Sequence, residues 1–175
     1  MLEARIKAAI RDVPDFPKPG ILFKDISTVL LNPDLSMQIL EHLAEQYRAA
    51  DIDAIAGIES RGFLFGQALA IRLQKPFVLI RKAGKLPGRK LSLRYTLEYG
   101  EATIEMHEDA IAGGAKVLIH DDLLATGGSA EAAAGLIGKA GGVVAGYSFL
   151  VELAFLGGAA RLQASGANIR SLAVY

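Results

Sequence analysis

The chain contains no cysteine. That excludes disulfides and any metal centre built on thiolates, and it fits a reducing, cytoplasmic setting. Net charge is absent as well, since 19 Lys and Arg balance 19 Asp and Glu. A dedicated nucleic-acid binder is usually basic, so no nucleic-acid partner is expected. No apolar run approaches the roughly 18 residues of a membrane span. The opening MLEARIKAAIRDV lacks the uninterrupted apolar centre of a secretory signal, so no membrane association or export is expected. Internal repeats and low-complexity tracts are missing too. What is there is 175 residues, 51% of them hydrophobic, enough for one domain with a substantial core.

Periodicity divides the chain into alternating strands and helices. Leu2, Ile6, Ile10 and Val13 follow helical spacing, with Pro14 as the stop. PDFPKPG is an extended connector, and ILFKDIS a short strand or turn. Asn32-Pro33-Asp34 opens a second helix with Leu35, Ile39, Leu43 and Tyr47 on one face. DAIAGI, FVLI, KVLI and VVAGYSFLV read as buried strands, YTLEYG and ATIEMH as an antiparallel pair about Gly100, and residues 169–174 as a last strand. A helix with Phe63, Leu64 and Leu69 follows Gly62, and an Ala-rich helix over 130–140 ends at Gly141-Gly142. Strands alternating with helices imply an α/β fold with a mostly parallel central sheet flanked by helices.

Three of these strands end in polar, glycine-containing turns, after Ile58, Ile80 and Ile119. The carboxyl ends of parallel strands share one edge, where open α/β sheets bind ligands. The three turns should therefore meet there. The third turn, in VLIHDDLLATGGSA (117–130), carries the most chemistry. Its glycines let backbone N–H groups approach a ligand, the next helix adds its amino-terminal N–H groups, and Thr126 and Ser129 add hydroxyls. The alternative is a plain strand-to-helix turn capped by Ser129. It is neither a Walker A loop nor GxGxxG. Asp121 and Asp122 stand side by side and repel, so they need a counter-charge. Paired carboxylates accept hydrogen bonds from sugar hydroxyls and attract a hard cation such as Mg²⁺. A phosphate beside two diol acceptors describes a ribose 5-phosphate. The segment RKAGKLPGRKLSLR (81–94) holds six of the 19 Lys and Arg and no acid. It reads as a loop, either one that closes over an anion or one that is simply solvated.

These residues resemble a known family. VLIHDDLLATGGSA is similar to the phosphoribosyl pyrophosphate (PRPP) signature of the type I phosphoribosyltransferases, and its LLATGG form resembles the adenine phosphoribosyltransferase branch. FPKPGILFKDIS, GIESRGFLFG, LIRKAGKLPG, LEYG and SFLVEL match the same branch in order, from about Asp15 to Leu153. The resemblance implies one domain over 1–175: an amino-terminal helix and base-covering hood over 1–30, and a core over 31–175 with a mobile lid hairpin at about 82–98. It implies transfer of the 5-phosphoribosyl group from PRPP to N9 of adenine, giving AMP and pyrophosphate, with Mg²⁺ as cofactor and a homodimer as the assembly.

Site roles follow from the same resemblance. Asp121 and Asp122 hold the ribose hydroxyls and, indirectly, a Mg²⁺ carried mainly by PRPP. Ala125, Thr126, Gly127, Gly128 and Ser129 wrap the 5′-phosphate. Glu59, Ser60 and Arg61 form the pyrophosphate loop, where relatives hold a non-proline cis peptide. Arg61 is either a pyrophosphate contact or a structural ion-pair partner. Arg81, Lys82 and Lys85 face pyrophosphate. Leu22, Phe23 and Lys24 form the adenine pocket, with Phe23 stacking on the purine and backbone near Leu22 and Lys24 reading its edge. Glu98 is the general base, joined as a catalytic group by Arg61 and Lys85, and Tyr99 packs beside the lid. His120 stands where an apolar residue is usual, as a satisfied core histidine or a group that tunes the acid pair. Two competing readings are a 6-oxopurine transferase, which needs a side-chain donor such as lysine that SFLVEL lacks, and a PRPP-sensing regulator without catalysis.

Overall fold

The computed structural model describes residues 1–96, 100–164 and 166–175. The chain opens with α1 (Leu2–Ala9) and an antiparallel ribbon of β1 (Arg11–Pro14) and β2 (Leu22–Asp25). It continues through α2 (Ser27–Leu30), α3 (Pro33–Tyr47), β3 (Ala54–Ile58), α4 (Gly62–Leu73), β4 (Phe77–Lys82), β5 (Lys90–Thr96) and β6 (Glu101–His107). It finishes with β7 (Lys116–Leu124), α5 (Gly128–Lys139), β8 (Val143–Glu152), a 3₁₀ turn (Ala154–Leu156), α6 (Gly158–Gln163) and β9 (Asn168–Val174). Seven strands form the main sheet in the order β5-β6-β4-β3-β7-β8-β9. Neighbours from β4 to β9 pair parallel, and the β5–β6 hairpin joins β4 antiparallel.

Burial on both faces explains the centre of the sheet. All five residues of β3 are buried, as expected of a parallel strand between two helical layers. Along β7 the side chains alternate. Leu118 joins the core under α1, α3 and α4, while Val117 and Ile119 join the core under α5. Helix α3 begins as its sequence dictates: the Asn32 side chain accepts from Leu35 N–H at 3.0 Å, and Pro33 follows in the first turn. No helix among the described residues is long and apolar enough to cross a membrane.

Two local expectations are corrected. The first helix ends at Ala9, and Val13 lies in β1 opposite Phe23. A β-branched residue facing a strand partner gains more there than in a helix tail. The basic segment 81–94 is half strand: Arg81 and Lys82 finish β4, Lys90 starts β5, and residues 83–89 form the turn between them. Helix α4 forms after Arg61 as expected, burying Gly62, Phe65, Gly66, Leu69 and Ala70 and leaving Leu64 exposed.

Candidate active site at the carboxyl edge of the sheet

The turns after β3, β4 and β7 do meet, because those strands are adjacent and parallel. Strand β7 runs through the acid pair, and Asp121 lies opposite Phe149 on β8. The Asp122 N–H donates to Asp121 Oδ1 at 2.9 Å. Arg61, just before α4, places Nε 3.0 Å from the buried Asp122 Oδ2. Burial raises both carboxyls above the ordinary range. Repulsion from Asp122 adds to the rise at Asp121, and Arg61 opposes the rise at Asp122. Space for Asp121 depends on Gly62, since a Cβ there would lie 2.8 Å from Asp121 Oδ1 and 2.9 Å from the His120 carbonyl.

Residues 125–129 form the next wall. Gly127, with φ of 83°, caps α5 and offers no side chain to it. The first N–H groups of α5 are thus not claimed by a side-chain cap, and Ser129 lies inside the helix rather than capping it. They surround a small cavity of about 80 Å³ that Asp121, Thr126, Ser129 and Phe149 also line. The cradle rests on Gly158, which the sequence reading missed. A Cβ at Gly158 would meet the Ala125 carbonyl at 2.2 Å, and one at Gly127 would meet the Gly158 carbonyl at 3.0 Å. The only sequence signal was the Gly157-Gly158 pair.

The second turn is locked from below. Glu59 Oε2 accepts from Arg81 Nε at 3.2 Å and from Lys82 N–H at 3.0 Å. Burial pushes the Glu59 carboxyl up, but these two donors outweigh it and hold it low. The peptide between Glu59 and Ser60 is cis. Arg81 Nη1 also donates to the Lys85 carbonyl at 2.8 Å, and Gly84 N–H to Glu105 Oε2 at 3.1 Å, which closes the turn. Lys82 and Lys85 are exposed at its tip.

The amino-terminal ribbon approaches through Phe23. The Arg61 guanidinium lies 5.2 Å from the Phe23 ring centre, so Arg61 bridges the ribbon and the acid pair. Phe16 meets Phe23 edge-on at 5.1 Å. Leu22 is half exposed, whereas the buried Lys24 side chain is engaged by Asp12 at 2.7 Å and the Tyr175 ring at 4.0 Å. Among the described residues no strand lies beside the outer edge of β2. Glu98 and Tyr99 lie outside the described residues. His120 is a core histidine. It is buried, Nδ1 is 3.1 Å from Ser148 Oγ, Nε2 has no hydrogen-bond partner among the described residues, and burial lowers its pKa to about 4.

Comparison with known proteins agrees with this geometry. Residues 28–152 match the model of the phosphoribosyl transferase domain. An adenine phosphoribosyltransferase from Cytophaga hutchinsonii is 50% identical over 175 residues, covering 100% of this chain and 97% of that one. One from Sorangium cellulosum is 55% identical over 157 residues, covering 90% and 78%. Among solved structures, the Thermoanaerobacter pseudethanolicus adenine phosphoribosyltransferase superposes with a TM-score of 0.95 at 47% identity, covering 100% of both chains. The Saccharomyces cerevisiae enzyme, solved with an imino-altritol bisphosphate and adenine, gives 0.89 at 40% identity and 98% of each chain. An uncapped helix end behind a buried acid pair, within a chain this similar throughout, places the protein in the adenine phosphoribosyltransferase family.

Proposed function

We propose that this chain transfers the 5-phosphoribosyl group of PRPP to N9 of adenine, giving AMP and pyrophosphate in purine salvage. The observation that carries the reading is the cradle. A helix amino terminus without a side-chain cap opens beside two adjacent carboxylates at the end of a parallel strand. N–H groups and hydroxyls of residues 125–129 receive the 5′-phosphate, and Asp121 and Asp122 accept from the ribose hydroxyls. Across the site, the N–H groups near Ser60, with Arg81, Lys82 and Lys85, meet the pyrophosphate and stabilise its charge as it departs. Arg61 holds Asp122 and reaches the same space.

The base pocket argues for a 6-aminopurine. The edge of β2 that no described strand covers offers backbone N–H and C=O groups beside Phe23. Adenine presents an amino donor next to a ring-nitrogen acceptor, which an N–H and a C=O satisfy together. A 6-oxopurine inverts both groups, and SFLVEL in β8 supplies no lysine to accommodate it. In this reading residues 1–30 are the hood, holding the base over the sugar as a positioning effect. Glu98, assigned from its LEYG motif, accepts the N9 proton.

The acid pair suits a divalent cation. Two buried, mutually repelling carboxylates with raised pKa values are relieved by positive charge. No cluster of three or more His, Asp or Glu exists among the described residues, so PRPP oxygens supply most of the ligands. When bound, Mg²⁺ neutralises pyrophosphate charge. The assembly is a homodimer. Leu30, Met37 and Leu64 are exposed and line one apolar groove over α2, α3 and α4, a patch suited to a second copy. The compartment we assign is the cytoplasm, on the cysteine-free composition.

The deciding experiment offers adenine, hypoxanthine and guanine separately with PRPP and Mg²⁺ and follows nucleotide and pyrophosphate. Turnover with adenine alone is expected. Turnover with a 6-oxopurine overturns the base assignment, and PRPP binding without turnover overturns the catalytic one.

A further inference from the structure

The cradle is in contact with a strand that none of the family motifs draws into it. Along β5, Leu91, Leu93 and Tyr95 pack against the core beneath α5. Gly135 is bare where this strand crosses the helix, since a Cβ there would lie 2.5 Å from Leu93 Cδ1. Lys139 Nζ donates to the Ser92 carbonyl at 3.1 Å. At the amino-terminal end of the helix, Tyr95 Oη is 3.2 Å from Ser129 Oγ. A Cβ on Gly128 would sit within ordinary contact of Tyr95 Cδ2, at 3.8 Å. Helix α5 is therefore bound to β5 along its length, and Ser129 belongs both to this contact and to the cradle wall.

Taken alone, either hydroxyl of this pair can donate to the other. A phosphate oxyanion removes that freedom, because it only accepts. Ser129 then donates to the anion, and its lone pair is left for the Tyr95 O–H. We propose that Tyr95 is a positioning residue of the ribose-phosphate site: its hydroxyl donates to Ser129 Oγ and so aims the Ser129 O–H at the phosphate. Such a relay strengthens its second hydrogen bond, because each donor polarises the next. No lysine or arginine lines the cavity among the described residues, so neutral donors carry the recognition. The guanidinium at its rim, Arg161, is paired with Glu131 at 2.6 Å. This inference rests on residues 125–129 being the phosphate site.

The test is calorimetric titration of ribose 5-phosphate and of pyrophosphate into wild type, Tyr95→Phe, Ser129→Ala and the double variant. Tyr95→Phe is expected to weaken ribose 5-phosphate binding about 3- to 10-fold, the worth of one hydrogen bond. Pyrophosphate binding stays unchanged, and the loss falls below about twofold in the Ser129→Ala background. In turnover, KM for PRPP rises by a similar factor with kcat retained, the signature of uniform binding. Equal ribose 5-phosphate binding in Tyr95→Phe overturns the inference while leaving the phosphate site standing. A loss that persists without the Ser129 hydroxyl, or that extends to pyrophosphate, also overturns it, by assigning Tyr95 a general packing role. Wild type that fails to bind ribose 5-phosphate removes the phosphate site and this inference with it.

Discussion

Replacing Gly158 by alanine tests the cradle at its support rather than at its ligand contacts. The new Cβ would lie 2.2 Å from the Ala125 carbonyl oxygen, against the 3.0 Å below which real Cβ contacts are essentially never found, so the two must part by at least 0.8 Å. Both sides are backbone, and no flexible side chain can yield. Overpacking of this kind costs about 1–3 kcal/mol. In a chain of this size each kcal/mol lowers Tm by about 2–4 °C, so the expected fall is roughly 2–12 °C. Without the clash, alanine in a helix would stabilise, so the sign of the Tm change is itself informative. The functional effect should be larger than the structural one. A displacement of about 1 Å at a positioning group costs on the order of 10²-fold, and Ala125 opens the phosphate loop. The assay is steady-state AMP formation with PRPP varied, beside Gly157→Ala as control. Gly157 has φ of 70° but no neighbour within 4 Å of its Cβ site. The control should lose some stability through its left-handed backbone and keep KM for PRPP within about threefold. A folded Gly158→Ala enzyme with wild-type kcat/KM for PRPP would refute the reasoning.

Four further outcomes follow from the geometry. Asp121 has a folded-state pKa above its unfolded value, so it binds more protons when folded, and its stability cost grows as pH rises from the ordinary carboxylate range through the folded pKa. Asp121→Asn should therefore raise Tm relative to wild type at pH 8 but not at pH 4, while abolishing PRPP binding; an equal effect at both pH values in thermal scans contradicts the burial argument. Arg61→Gln removes the cation 3.0 Å from Asp122 and should raise KM for PRPP about tenfold or more, the scale of a hydrogen bond to a charged group; a KM within twofold shows that the pair is idle. Mg²⁺ alone should leave Tm unchanged, because among the described residues the site supplies only two adjacent carboxylates, whereas Mg²⁺ with PRPP should raise it by ligand linkage. A shift with Mg²⁺ alone reveals a protein-only metal site. Met37→Glu places charge in the apolar patch of α2, α3 and α4 and should convert a dimer to monomer in light scattering, and an unchanged mass relocates the interface.

What the sequence disclosed follows a physical rule. Strand β3, helix α3 and the acid pair of β7 were legible because each is written locally, as an apolar run, a capped four-residue period and two adjacent carboxylates. Strand β5 was hidden by its charge. Leu91, Leu93 and Tyr95 alternate as an edge strand should, yet Lys90 and Arg94 made the segment read as a loop, closing over an anion or simply solvated. The period-two pattern was the better guide, since charges on the outward face of an edge strand are ordinary. Val13 failed in the opposite way, fitting a helical period while its strand partner, Phe23, lay ten residues away. The site's couplings were beyond local reading altogether. Gly158 supports a loop 33 residues earlier, and Arg61 joins Phe23 to Asp122 across three separate elements. Such contacts exist only once the parallel strands place their carboxyl ends together, so a motif read alone names the parts of the site but not which part holds which. That is why Asp122 and Ser129, both legible as ligand groups, depend on Arg61 and Tyr95 in ways that only the folded arrangement reveals.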